Sequence, residues 1–108
     1  MGDHQAARVI LCTCPDADVG AELAGKLVES RLAACVNLID SVRSIYRWEG
    51  KICDDREVLL VIKTTEPHVA ALTEMLAEIH PYDCPEVIAL PVTSGHAPYL
   101  DWLTAQVT

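Results

Sequence analysis

The apolar positions of the chain repeat with two different periods, and the switches between them mark out the elements. "RVILCTC" (8–14) is β-branched and apolar without helical spacing, which predicts a strand, and Pro15-Asp16 closes it with a turn and helix-start signal. Beyond it Val19, Leu23 and Leu27, with Ala24 and Val28, make one apolar stripe while Glu22, Lys26 and Glu29 lie elsewhere. A helix capped or charged by Asp16 or Asp18 is therefore expected to about Arg31. The chain then reads as extended from residue 32 to 51. Val42, Ser44, Tyr46 and Trp48 alternate with Arg43, Ile45 and Arg47, and Glu49-Gly50-Lys51 is a turn. "EVLLVIKT" (57–64) is the returning arm, and its unbroken apolar run predicts burial on both faces. Such a hairpin should reach past the body of the domain, since seven residues alone span roughly 23 Å.

Thr65 is an N-cap candidate with Pro67 in the first turn, and Val69, Leu72, Leu76 and Ile79 supply the stripe of a second helix. "EVIALPV" (86–92) predicts a last strand, which Pro91 confines to an edge or an end. Pro98 can open a terminal helix over "YLDWLTAQV" (99–107), with Leu100, Leu103 and Val107 on one face. The order β-α-β-β-α-β plus a helix predicts an α+β, ferredoxin-like fold: an antiparallel sheet, two helices on one face and a long hairpin between strands two and three. Residues 1–108 read as one domain, with 1–7 as a loose tail. The bare face of such a sheet needs cover, and further copies of the chain are the simplest cover.

Composition narrows the function. Hydrophobic residues make up 51% of the 108, enough for a core with some left over for a partner surface. Sixteen acidic residues against eight basic ones give a charge of −8, and Arg43, Arg47 and Lys51 stand singly, so nucleic acid and anionic membrane surfaces are not expected partners. The N-terminus has no secretory pattern, and runs such as "VLLVI" fall far short of the roughly 20 residues a membrane span needs. Five cysteines without framework spacing point to reduced thiols in the cytoplasm.

The segments "CTCPD" (12–16), "LAACVN" (32–37), "YRWEGK" (46–51), "LLVIKTT" (59–65), "HPYDCPEVIALPV" (80–92) and "YLDWL" (99–103) together resemble the CutA family of divalent-cation-tolerance proteins. The resemblance implies a ferredoxin-like homotrimer linked to copper and other divalent-metal tolerance, similar in plan to PII-type signalling trimers. It places Cys12 and His80 at positions proposed to bind copper. Some members carry a second histidine just before the latter, where this chain has Ile79.

The residues themselves leave two readings open at each candidate. Cys12 and Cys14 lie two apart on a strand, about 6.6 Å along it, and are either a thiolate pair able to chelate Cu(I) or small core residues. His80 precedes Pro81 and is either a ligand or a helix-end residue bonding a free carbonyl, and Cys84, before Pro85, is either a further ligand or a buried turn residue. Cys35 reads as structural and Cys53 as a hairpin thiol; His4 falls on the tail and His68 towards solvent. Tyr46, Trp48, Glu57, Lys63, Tyr82 and Glu86 form a second constellation. It is either an inter-subunit cleft for a small ligand or protein partner, or an interface ion pair under aromatic packing, with Glu86 or Glu49 as the expected partner of Lys63. No hydrolase, P-loop or dinucleotide motif is present, so a binding protein rather than an enzyme is expected.

Overall fold

The computed structural model describes residues 4–108. Strand β1 is Ala7–Cys14, helix α1 Ala17–Glu29, β2 Cys35–Trp48, β3 Lys51–Thr65, α2 Glu66–Ile79, β4 Ile88–Pro91 and α3 Ala97–Gln106. The four strands form one antiparallel sheet in the order β2-β3-β1-β4. β3 thus separates β1 from β2, as the ferredoxin-like arrangement requires. None of the described helices is long and apolar enough to cross a membrane.

Local chemistry sets the helix ends. The Asp16 carboxylate accepts the Val19 N–H at 2.9 Å, so it caps α1 and does not merely charge it. At the other end Arg31 takes a left-handed φ of 60°, and the Leu32 and Arg31 N–H groups return to the Leu27 and Val28 carbonyls. That is a Schellman closure built on arginine where glycine is usual. Thr65 stands at the N-cap of α2, but its hydroxyl bonds His68 Nδ1 at 2.8 Å instead of capping the helix, which also draws His68 to a half-buried position.

One face of the sheet carries the core: Ile10, Cys12 and Cys14 from β1 and Val58, Leu60 and Ile62 from β3 meet Leu23 and Leu27 of α1 and Leu72 and Leu76 of α2. Burial of each large side chain contributes about 2 kcal/mol. The expectation that β3 is buried on both faces holds on this side only. Leu59, Val61 and Lys63, pointing the other way, are half-buried in the single chain. Leu103 of α3 and Val107 at its C-cap make a second, small cluster with Ala34.

The β2–β3 hairpin dominates the shape. Glu49 and Gly50 both have positive φ, 50° and 77°, the two-residue turn whose twist suits a hairpin. At about 3.3 Å per residue the 14 residues of β2 rise about 46 Å, close to the 48 Å long axis of the chain. A bulge between Ile39 and Val42, with Ser41 at φ 60°, adds twist part-way along.

Two boundaries differ from expectation. β4 is confined to Ile88–Pro91, shorter than 86–92, with Pro91 as its last residue. Of the loose tail expected over 1–7, residues 1–3 lie outside the described residues and the rest is ordered. His4–Ala6 form a short 3-10 turn and Ala7, 1% exposed, opens β1. The reason is a bond from the N-terminal segment to the last helix, His4 Nε2 to Asp101 Oδ1 at 2.6 Å.

Candidate functional site

The end of β1 and the end of α2 bring the metal candidates into one neighbourhood. Cys12 and Cys14 face the same way, as their spacing requires, and both point into the core with no exposed surface. The Cys12 thiol lies 3.6 Å from the Thr13 carbonyl and the Cys14 thiol 3.6 Å from that of Asp16. α1 presses against them: a Cβ on Gly20 would stand 3.2 Å from Cys14 Sγ. Burial, reinforced by Cys14, Glu86 and Glu57, pushes the Cys12 thiol up to about 12, and burial followed by Asp16 raises Cys14. Both are neutral thiols at physiological pH, whereas a metal binds the thiolate.

His80 ends α2 in an extended conformation, as the following proline demands, and its N–H closes the helix on the Leu76 carbonyl at 2.9 Å. Its ring does not reach back to its own helix. Nε2 lies 2.8 Å from the Thr13 carbonyl of β1, and Nδ1 accepts the Tyr82 N–H at 3.0 Å. Since a carbonyl only accepts, Nε2 carries the proton and Nδ1 the lone pair. Both ring nitrogens are engaged. A copper ion at Cys12 and His80 would have to strip a buried thiol of its proton and displace a hydrogen bond of the imidazole, so the pair as arranged does not fit the ion. Ile79 is half-buried against the core. Among the described residues no three histidine, cysteine or carboxylate side chains converge as a metal group.

Cys84 differs from the other candidates. The alternative of a buried turn residue is corrected, because the side chain is exposed. Pro81, Tyr82, Asp83, Cys84 and Glu86 line a cleft of about 970 Å³, so Cys84 lies on its wall. The hairpin supplies further lining, Tyr46 and Trp48 from β2 and Asp55, Arg56 and Glu57 from β3, and Thr13 and Pro15 line the cleft as well. Cys53 is half-buried in the hairpin, and Cys35 is half-buried at the start of β2.

The cleft is held by two phenol–carboxylate pairs. The Tyr82 hydroxyl donates to Glu57 Oε2 at 2.9 Å and the Tyr46 hydroxyl to Asp55 Oδ2 at 2.5 Å. Burial and the Glu57 carboxylate push the Tyr82 phenol up, and the bond to Asp55 does the same for Tyr46. Glu57 is only 8% exposed, and among the described residues no basic side chain forms an ion pair with it. The His80 ring packs on Tyr82 at 4.7 Å between centroids. A continuous path therefore runs Thr13–His80–Tyr82–Glu57, and His80 positions the cleft wall.

Of the second constellation, Tyr46, Trp48, Glu57, Tyr82 and Glu86 line the cleft and Lys63 does not. Lys63 pairs in register with Val9 and Cys35, well along β3 from Glu57, and among the described residues it forms no ion pair with Glu86 or Glu49. Among the described residues Arg56 is the one basic residue on the cleft lining. Arg56 and Asp55 were not legible as site residues, because only the hairpin register, Ser44 opposite Asp55 and Val42 opposite Glu57, carries them to this wall.

The model of the family described as CutA1 divalent ion tolerance protein matches residues 8–106. The chain belongs to this family. It is 56% identical to Protein CutA of Mus musculus over 91 residues, 84% of this chain and 51% of that protein, so it spans about half the length of that mammalian relative. It is 47% identical to the divalent-cation tolerance protein CutA of Thermus thermophilus over 95 residues, 88% of this chain and 92% of that one. The crystal structure of CutA1 from Oryza sativa superposes with a TM-score of 0.93 at 43% identity, covering 98% of each chain. Fold and family agree with the resemblance read from the six segments.

Proposed function

We propose that this chain works in divalent-cation tolerance as a cytoplasmic homotrimer that binds copper or another divalent cation at the cleft, and not at Cys12 and His80. One observation carries the reading: of the four metal candidates only Cys84 is exposed, and it shares the cleft with Asp83, Glu86, Asp55 and Glu57. These four carboxylates against one arginine make a field that attracts cations. Among the described residues a single chain completes no coordination shell, so a neighbouring copy supplies the remaining donors. Association is supported by the two open edges of the sheet, where Leu38 and Ile39 on β2 and Ile88 and Leu90 on β4 are exposed, and by the hairpin residues Ile45 and Ile52, 65% and 63% exposed. Binding rather than catalysis is favoured because Cys12 is a buried neutral thiol and so a poor nucleophile. The free cysteines suit a reducing compartment.

Native mass spectrometry of the reduced protein with Cu(I), Cu(II) and Zn(II) tests this. A trimer that takes up metal, keeps it in Cys12→Ser/His80→Ala and loses it in Cys84→Ser/Glu86→Gln is the expected result. Loss in the first double variant alone would return the site to the core.

A second reading is a PII-like signalling or scaffold trimer whose inter-subunit clefts hold a small ligand or a protein partner. It is favoured by the aromatic lining, Tyr46, Trp48 and Tyr82, which a bare ion does not need.

A further inference from the structure

We infer that the organic ligand of the cleft is a small cation, an ammonium seated at Glu57 and Asp55 with its carbon skeleton against Tyr46, Trp48 and Tyr82. This rests on the second reading above and names the ligand class. Glu57 is the first ground. It is a nine-tenths-buried carboxylate lining a cavity, its one side-chain hydrogen bond comes from a neutral phenol onto Oε2, and no ion pair among the described residues neutralises it. A buried charge is retained at low cost only when a counter-charge or several donors meet it. Tyr82 has a single hydroxyl proton and has already given it. The remaining oxygen, Oε1, accepts no side-chain hydrogen bond, and because Glu57 lines the cleft a donor from outside the chain can reach it.

The walls supply the second ground. Tyr46 and Trp48 are 41% and 50% exposed, so their ring surfaces are open to a ligand, and ring faces attract ammonium groups. The tyrosines cannot turn their hydroxyls on an anion without leaving Asp55 and Glu57. Nor does the neighbouring helix offer an anion seat: the first turn of α1 is closed by the Asp16 carboxylate and carries Asp18. Arg56 is the one basic residue on the cleft lining, against Asp55, Glu57, Asp83 and Glu86. A phosphate-bearing ligand would meet more repulsion than attraction, whereas an amine of a few carbons meets two carboxylates and an aromatic wall. The volume, about 970 Å³, lies at the upper end of small-molecule sites and leaves room for such a ligand.

The test uses the full chain with Trp102→Phe, which leaves Trp48 as the sole indole. It is titrated with benzylamine, 1,4-diaminobutane, benzoate and inorganic phosphate, following Trp48 fluorescence and heat of binding. The amines are expected to bind, to bind less well as salt is raised, and to lose at least tenfold in affinity in Glu57→Gln, with a smaller loss in Asp55→Asn. The second variant keeps the test decisive if the first alters folding. Binding of benzoate or phosphate with no response to amines would overturn the ligand class and leave the cleft reading standing. Silence from all four probes would overturn both. Equal amine affinity in Glu57→Gln, or a lysine or arginine of a second copy found on Glu57 in a crystal of the trimer, would also overturn the inference.

Discussion

The two ends of the path Thr13–His80–Tyr82–Glu57 have opposite characters. At the β1 end Cys12 and Cys14 are fully buried, neutral and packed against α1, and both nitrogens of His80 are engaged. At the hairpin end Glu57 and Asp55 each accept one hydrogen bond from a phenol, beside open space. Both ends carry residues that a motif reader associates with metal chemistry. The difference teaches that donor identity alone does not make a site: a donor whose lone pair and proton are already spent inside the fold supports the wall, and one left short of partners faces the ligand.

The sharpest way to break this contrast is thiol labelling under native conditions. Cys84 should react with an aromatic disulfide reagent at once, and Cys12 and Cys14 only through unfolding, slower by a factor on the order of 10³ or more. Mass-spectrometric peptide mapping over time reads the ratio, and comparable rates would mean that the β1 end is open. Next in size is His80→Ala, which orphans the Thr13 carbonyl and the Tyr82 N–H and should cost about 2–4 kcal/mol in urea denaturation. A loss below about 0.5 kcal/mol would remove His80 from its positioning role.

The smallest effect concerns alkaline pH. The Cys12 thiol is raised in the folded chain from 9.0 to about 12, so its contribution is fully present below pH 9 and is lost as pH rises towards 12. Between pH 8 and 10 this one group should lower stability by about 1 kcal/mol. In Cys12→Ala the decline over that range should be shallower by the same amount, and an unchanged slope would show a thiol already in contact with water.

Much of the architecture was legible in the chain. The i, i+4 stripes of α1 and α2 report which face turns inward, the alternation of Val42, Ser44, Tyr46 and Trp48 reports which residues share one face of the hairpin, and Glu49-Gly50 reports the turn, because these are short-range geometric demands. The spacing of Cys12 and Cys14 likewise put both on one face. The fate of that face was not legible. Lys63 shows why: it shares a face with Glu57 by period, yet six residues of strand separate them and Lys63 does not reach the cleft lining.

What this sequence determined by itself was therefore the order of elements, the family and the pool of residues able to do chemistry, since periodicity, caps and turns act over a few residues. Tertiary structure alone decided which of that pool are spent and which are free. Burial raised the Cys12 thiol and a strand carbonyl fixed the His80 tautomer, and hairpin register carried Glu57 to Tyr82. The Glu57–Tyr82 and Thr13–His80 bonds join groups 25 and 67 residues apart along the chain. A local pattern has no means of expressing contacts made at such separations.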